Sequence, residues 1–357
     1  MRILQVCPHV YGDVGGVSVH VKNISEHLAK NHDVTVYVSN PDSRCPRFEV
    51  KNGVKIERFR CFAPSNSYFL SWDMLLRLKK IDFDIVHGHS YHAFPMHFAR
   101  IAKCRKFVVT PHFHGVGHSP FRRCLVRLLK PFGKRTFDLA DRIIAVSQFE
   151  KRLLCKEFNI DSDKVIVIPN GVNFSEFKGL RKRNHNFKLM LYVGFLDYYK
   201  GVHYLVEVLP KLPDDVVLDI VGDGPLKAFL RGRAAELGVG RRVRFYQNLP
   251  RRELLQKYVD ADVFVLLSMY EAYSLVIAEA LAAGTPCVVA EASALSEWVD
   301  NESCFGVTLP PNLKKLADLI SYVLYKDVDK EVMRKWIGTK ILDWRDVSQM
   351  LEKIYAQ

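Results

Sequence analysis

The stretch Val263-Phe-Val-Leu-Leu-Ser-Met-Tyr-Glu-Ala-Tyr-Ser-Leu-Val-Ile-Ala-Glu-Ala-Leu-Ala-Ala-Gly-Thr-Pro286 reads as strand, loop, helix and turn. The apolar run Val263–Leu267 is a strand candidate. Ser274 stands where a helix N-cap is expected, so the first-turn amides point back at the loop. Glu271 lies in that loop and Glu279 a turn or so into the helix. An anion is favoured at an amide-rich helix start. The two carboxylates cannot bind an anion, but they can accept hydrogen bonds from hydroxyls attached to it. A nucleotide sugar carries both parts: a diphosphate, with ribose hydroxyls on one side and sugar hydroxyls on the other.

The same alternation extends outward from this stretch. Strand candidates in the first half are Ile3–Cys7, Asp33–Val38, Ile85–Gly88, Phe107–Thr110, Ile143–Val146 and Val165–Ile168, with helical stretches between them, among them Val17–Lys30 and Lys151–Phe158. In the second half they are Lys188–Val193, Val216–Val221, Arg242–Tyr246, Val263–Leu267 and Pro286–Ala290. These are apolar runs without strict alternation, as expected of parallel sheets covered on both faces. The pattern predicts an α/β fold of two doubly wound, Rossmann-like parallel-sheet domains. Residues 1–173 form the first domain and 187–344 the second. The polar, basic stretch 174–186 reads as a linker, and 345–357 as a C-terminal helix that packs back on the first domain. Ligands of such sheets bind beyond the carboxyl ends of the strands, so a central cleft is the expected site.

Several residues at strand ends could carry chemistry. Gly15-Gly16 follows the first strand and opens a helix, where glycines let backbone amides approach a ligand. No Gly-x-Gly-x-x-Gly and no Gly-Lys-Ser/Thr is present, which argues against dinucleotide and P-loop sites. His112, in Thr110-Pro-His-Phe-His-Gly115, is placed to donate to a hydroxyl or an oxyanion. Lys200, in Val193-Gly-Phe-Leu-Asp-Tyr-Tyr-Lys-Gly201, can reach a phosphate as a mobile cation. Val221-Gly-Asp-Gly-Pro225 reads first as a turn and second as a wall of the cleft.

Thirteen histidines raise the question of a metal, above all His87, His89, His92, His112 and His114. The i, i+2 spacing puts His87 and His89 on one face of a strand. A zinc hydrolase would also need carboxylate ligands, and Asp84 is the only one close by in sequence. No metal is expected. Asp-x-Asp pairs at 82–84, 161–163, 260–262 and 327–329 read as caps and solvated ends.

The 48% apolar content supports real cores, and no segment approaches the roughly 18 continuous apolar residues of a membrane span. Eight scattered cysteines, none in a Cys-x-x-Cys pair, fit reduced thiols in a cytoplasmic protein. The net charge of +13 is uneven. Residues 1–185 hold 31 Lys/Arg against 16 Asp/Glu, and the remainder 21 against 23. An anionic partner of the first half is therefore expected, such as an anionic acceptor or the inner membrane face. The basic amphipathic stretch Pro120–Pro131, with Phe121, Cys124, Leu125 and Leu128 on one face and Arg123, Arg127 and Lys130 elsewhere, suits such a peripheral contact. Its basic residues are not interleaved with aromatics, which argues against nucleic acid.

Taken in order, Gly15-Gly16, Asp84-Ile-Val-His-Gly-His89, Thr110-Pro-His112, Ile168-Pro-Asn-Gly-Val172, Val193-Gly-Phe-Leu196 with Lys200-Gly201, Val221-Gly-Asp-Gly-Pro225 and the Glu271/Glu279 pair form a recognisable series. The chain resembles glycosyltransferase family 4, the retaining GT-B enzymes also called glycosyl transferases group 1, over nearly its whole length. The resemblance implies a hexosyltransferase that moves a sugar from a UDP- or GDP-sugar to a hydroxyl of a glycan, glycolipid or lipid-linked acceptor, without a metal. It implies a diphosphate held by the Gly16 amide, the Gly194 loop and Lys200, and a transferred sugar contacted by His112. Glu271 would bind sugar hydroxyls and Glu279 the ribose. Tyr273, Ser274 and Leu275 would form the anion loop, and Gln247, Asn248 and Leu249 would flank the base. Two positions depart from the family pattern: Phe195 stands where an arginine is common, and Asn173 where an aspartate is common. A nucleotide-sugar epimerase of the same fold and a silent basic binding protein are the rival expectations.

Overall fold

The computed structural model describes every residue except 14, 42–44, 64–67, 116–119, 327–335 and 337, and of 120–129 it describes the backbone alone. Two compact units result, Met1–Gly171 with Trp344–Gln357, and Val172–Asp343.

The first unit is built on an eight-stranded sheet. Its strands are β1 (Arg2–Cys7), β2 (Asp33–Ser39), β3 (Phe48–Lys51), β4 (Val54–Phe59), β5 (Asp82–His89), β6 (Lys103–Thr110), β7 (Arg142–Ala145) and β8 (Val165–Val167), in the order β3-β4-β2-β1-β5-β6-β7-β8. All neighbours are parallel except the edge pair β3–β4. The central strand β1 buries every residue after Arg2, as a strand covered on both faces must. Helix α1 (Gly16–Leu28) turns Val21, Ile24 and Leu28 inward, a spacing that puts them on one face. The helices α2 (Trp72–Leu78), α3 (Phe94–Ala99), α4 (Pro120–Leu139) and α5 (Gln148–Phe158) complete the layers.

Each predicted strand of this half coincides with an observed one. The β3–β4 hairpin was not predicted from the pattern. Its turn is Asn52-Gly53, both at positive φ, a signal that the sequence does contain.

The second unit holds a six-stranded, wholly parallel sheet. After the two-residue β9 (Gly171–Val172) come β10 (Lys188–Val193), β11 (Val216–Val221), β12 (Val243–Tyr246), β13 (Val263–Leu266), β14 (Cys287–Ala290) and β15 (Cys304–Val307), ordered β12-β11-β10-β13-β14-β15. The edge strand β15 was missed, since it carries only four residues with a glycine among them. The helices are α6 (Val202–Val208), α7 (Lys227–Glu236), α8 (Arg251–Asp260), α9 (Leu275–Ala282) and α10 (Leu313–Tyr325).

Residues 174–186, expected as a linker, belong to this unit. Lys182 pairs with Asp262 at 2.8 Å, and the Arg183 guanidinium grips Asp260. Their partners lie nearly eighty positions away, so local polarity read as a tether what is in fact a docked segment. The closing helix α11 (Trp344–Ala356) buries Val347, Leu351 and Tyr355 in the first unit, where it packs against α1.

Asp84, Asp161, Asp260 and Asp262 accept from backbone amides, and Asp82 pairs with Lys103. The pair at 327–329 lies outside the described residues, as do the side chains of Phe121, Arg123, Cys124, Leu125, Arg127 and Leu128. Lys130 is paired with Glu157 at 3.0 Å. No described helix is long and apolar enough to cross a membrane.

One buried acid ties two loops of the first unit together. Glu150 sits in the first turn of α5, whose N-cap Ser147 accepts from the Glu150 amide, so Ser147-Gln-Phe-Glu150 has the capping-box spacing. Its carboxylate reaches elsewhere, accepting from Val146 N at 2.7 Å and from Phe113 N at 2.5 Å. Burial raises its pKa from 4.5 to about 8, against the opposing pull of those two amides. A folded-state pKa above the unfolded one means proton uptake on folding. The Glu150 contribution is therefore full below about pH 4.5 and is lost as pH rises through 8. Urea denaturation should show wild type losing ground to Glu150→Gln, by on the order of a few kcal/mol, between pH 5 and 8.5. A pH-independent gap would refute this.

Gly201 supplies a second test. It has φ +71°, and a Cβ there would collide with the Leu267 carbonyl oxygen. Gly201→Ala should cost about 2 kcal/mol or more in chemical denaturation.

Candidate functional site

In each unit the parallel strands hand over to their crossover helices at one edge, and several left-handed non-glycine residues lie at those handovers. Ser90 and His112 follow β5 and β6, while Asn248, Ser274 and Ser293 follow β12, β13 and β14; all five have positive φ. Non-glycine residues held in this region cost of order 1–3 kcal/mol each, and such strain concentrates at functional sites.

In the second unit, Gly194 leaves β10 with its amide on the Val221 carbonyl at 3.0 Å. Lys200 ends a 3₁₀ turn, and its ammonium lies 2.6 Å from Glu271 Oε1. The two loops are joined through the backbone as well, Met269 N donating to Tyr199 O at 2.8 Å. Burial alone would lower the Lys200 pKa, but Glu271 and Tyr199 more than offset it, so the pKa is raised and the ammonium stays charged. The sequence suggested separate duties for these residues, and the structure makes them an ion pair. Glu271 is further fixed by its own amide, which donates to Ser293 Oγ at 3.0 Å.

Ser274 occupies the N-cap position of α9, as expected, but does not cap. It has φ +84° and ψ +87°, and its Oγ is buried without a partner. The first-turn amides of α9 therefore lack the acceptor that an N-cap side chain supplies, and among the described residues the hydroxyl beside them is unused. An anion seated there would satisfy both.

Tyr273 departs from its expected place. Its ring is buried, its hydroxyl donates to Lys340 O at 3.1 Å, and its carbonyl accepts from Trp298 Nε1. It braces the loop from beneath. Leu275 opens α9.

Glu279 is also buried and meets Arg251 Nη1 at 2.7 Å, while Arg251 Nε reaches Glu176 at 2.9 Å. Burial raises the Glu279 pKa, and Arg251 opposes that shift. Sequence reasoning missed Arg251. It is one of two arginines in Pro250-Arg-Arg-Glu253, and nothing local singles it out.

Gln247 follows β12 and is exposed. It accepts from Lys227 Nζ at 2.5 Å and donates to Asp223 at 2.8 Å, which joins the Gly-Asp-Gly-Pro turn to the 247–249 loop. Asn248 supplies the left-handed turn that leads to Leu249. Phe195 is 52% exposed, and its carbonyl accepts from Tyr192 Oη at 2.9 Å.

In the first unit, Gly15 caps α1 with φ −73°, an ordinary conformation, and a Cβ there would meet nothing within 4 Å. Neither strain nor crowding explains the residue. Open space beside the bare amides of Gly16 and its neighbours is what it leaves. His112 is half-buried, with its ring 4.9 Å from that of His20 on α1. His87 is satisfied at both nitrogens, by Tyr355 and by Thr110. Among the described residues, one histidine triplet has ligand geometry: His20, His89 and His112. Burial holds the pKa of each low, His20 at about 4 with Asn170 opposing the shift, so all three rings are neutral near pH 7.

The family models for Glycosyltransferase Family 4 and Glycosyl transferases group 1 match residues 14–176 and 174–338. An uncharacterised glycosyltransferase of Methanocaldococcus jannaschii is 30% identical over 344 residues, covering 87% of this chain and 85% of that protein. The phosphatidyl-myo-inositol mannosyltransferase of Mycobacterium tuberculosis is 27% identical, over 99% of this chain and 96% of its own length. Among solved structures, sucrose-phosphate synthase from Thermosynechococcus elongatus superimposes with a TM-score of 0.81 at 21% identity, covering 100% and 98% of the two chains. Anabaena HepE, crystallised with UDP and glucose, gives 0.75 at 18%, covering 100% and 99%. These likenesses agree with the two parallel-sheet units in giving the GT-B fold. The chain belongs to glycosyltransferase family 4 and is a glycosyltransferase.

Proposed function

We propose that this glycosyltransferase moves a hexosyl group from a nucleotide diphosphate sugar, UDP- or GDP-linked, to a hydroxyl of a glycan, glycolipid or lipid-linked acceptor, with retention at the anomeric carbon. The uncapped start of α9 carries the proposal: the orphan Ser274 hydroxyl beside the helix start, on the same loop as Glu271, whose partner Lys200 comes from the loop after β10. The chemistry of that arrangement is recognition of an anion that bears hydroxyls. The mannosyltransferase relative supports hexosyl transfer, and the neighbour crystallised with UDP and glucose supports a nucleotide-linked donor.

Lys200 and the α9 amides would take up charge as the sugar–phosphate bond loosens toward an oxocarbenium-like state. The leaving phosphate oxygen would accept the proton of the attacking hydroxyl, so no protein nucleophile is assigned. Glu271, turning from Lys200 to sugar hydroxyls, would exchange one partner for another without ever being left uncompensated. Glu279, fixed by Arg251, is assigned to the ribose. The backbone at Gln247, Asn248 and Leu249 is assigned to the base. In the first unit, the Gly15-Gly16 amides are assigned to phosphate oxygens, His112 to the transferred sugar and the basic surface to the acceptor. No metal is assigned to the diphosphate.

A thermal-shift panel of nucleotide diphosphate sugars identifies the donor, and an acceptor screen with the best ligand follows. At 100 Kd of ligand the expected stabilisation is about 2.7 kcal/mol. Glu271→Ala should abolish transfer, with circular dichroism and the melting curve showing a retained fold. Lys200→Met should lose on the order of 100-fold or more in kcat/KM, and should also weaken the response to the free nucleoside diphosphate. A fully active Glu271→Ala enzyme, or an epimerised nucleotide sugar as product, would overturn the proposal.

A further inference from the structure

Three imidazoles of the first unit converge from separate elements: His20 on α1, His89 at the end of β5 and His112 in the loop after β6. One ring nitrogen of each lies within 4.8 Å of the other two. Ring centroids are 5.4 Å apart for His20 and His89, and 4.9 Å for His20 and His112. His20 and His89 are almost wholly buried. Among the described residues, each of the three rings keeps one enclosed nitrogen without a hydrogen-bond partner: His20 Nε2, His89 Nδ1 and His112 Nε2. Leaving a buried polar atom unsatisfied is unfavourable, so three orphaned nitrogens in one cluster call for an occupant.

The opposite edges of two of these rings define what the free nitrogens are. His20 Nδ1 lies 2.8 Å from Asn170 Oδ1, and His89 Nε2 lies 2.7 Å from Gln5 Oε1. An amide oxygen only accepts, so both of those ring nitrogens carry the proton. His20 Nε2 and His89 Nδ1 are then bare lone pairs. The Gln5 amide is itself oriented, because its Nε2 donates to Tyr355 Oη at 3.3 Å and that hydroxyl meets His87 Nδ1 at 2.7 Å. Two imidazoles with a bare basic nitrogen thus belong to the same close triplet as His112. A bare imidazole nitrogen of this kind is a ready ligand for a metal cation.

We propose that His20, His89 and His112 form a three-imidazole site for a divalent late first-row metal ion, with Zn²⁺ the expected occupant. Imidazole suits this class of ion, and amide oxygens on the far ring nitrogens are the outer partners that such ligands require. Zn–N bonds of about 2.1 Å put tetrahedral ligand atoms ~3.4 Å apart, so the rings close slightly on binding. Three neutral ligands leave the double charge of the ion uncompensated. The fourth position therefore takes hydroxide or an anionic oxygen, on the half-exposed His112 side. An ion on His112 Nε2 engages the ring that the functional proposal assigns to the transferred sugar, so loaded protein should be the poorer transferase. The binding measurement stands or falls independently of transfer.

The full chain, freed of any tag and stripped with chelator, is titrated with Co²⁺ and followed by its visible d–d absorption. One Co²⁺ per chain with tetrahedral intensity, displaced by Zn²⁺, is expected. His89→Gln and His20→Gln should each lose the signal. Asn170→Ala, which keeps all three ligands, should weaken binding about 10–100-fold. Circular dichroism checks each fold, and His112→Gln, at the half-exposed position, carries the same expectation should a buried variant not fold. Absence of a saturable signal in wild type, or a signal undiminished in His20→Gln and His112→Gln, would overturn the site.

Discussion

The common direction of the strands is the constraint on which the rest depends. A parallel sheet must be crossed by helices, and every crossing leaves from the same edge. Each loop at that edge is pinned between the end of a strand and the start of the next helix. Lys200 and Glu271 meet because β10 and β13 are sheet neighbours, although 71 residues separate them. Gln247 meets Asp223 because β11 and β12 pair. The left-handed residues His112, Asn248, Ser274 and Ser293 are the backbone cost of such sharp exits.

Charge in the second unit is arranged so that no functional group is buried alone. Lys200 holds Glu271, and Arg251 holds Glu279 and Glu176. Desolvation makes an isolated buried ion costly, and a partner restores part of the loss. These pairs hold their members in place before any ligand arrives. Ser274 is the exception, since its hydroxyl has no partner among the described residues and does not cap the helix that it opens. That asymmetry, between charges already matched and polar groups left open, distinguishes scaffold from binding surface.

The first unit reaches its own chemistry through neutral groups. Helix α11 brings Tyr355 into the core, and from there Gln5, His87, His89 and Thr110 form one connected polar chain. Glu150 holds the amide next to His112. A segment near the C-terminus thereby fixes the proton positions of residues at the carboxyl ends of β1 and β5. Networks of this kind are stable only when their members are satisfied, which gives the orphaned nitrogens of His20, His89 and His112 their weight.

The sequence by itself determined the layered α/β architecture, because apolar runs of four to eight residues separated by helical stretches admit few other arrangements. It also marked Gly15-Gly16, His112, Lys200 and Glu271, which lie where a strand gives way to the next segment, and Glu279, a turn into the helix that follows. It could not reveal that Ser274 leaves its own helix uncapped, which is a matter of one backbone dihedral. Arg251 and the docking of Lys182 and Arg183 escaped notice because charge partners distant along the chain leave no local pattern. His20 looked like any residue in an amphipathic helix. Only folding decided that its ring, with those of His89 and His112, would face a common point, because proximity across a sheet is set by strand order and not by spacing along the chain.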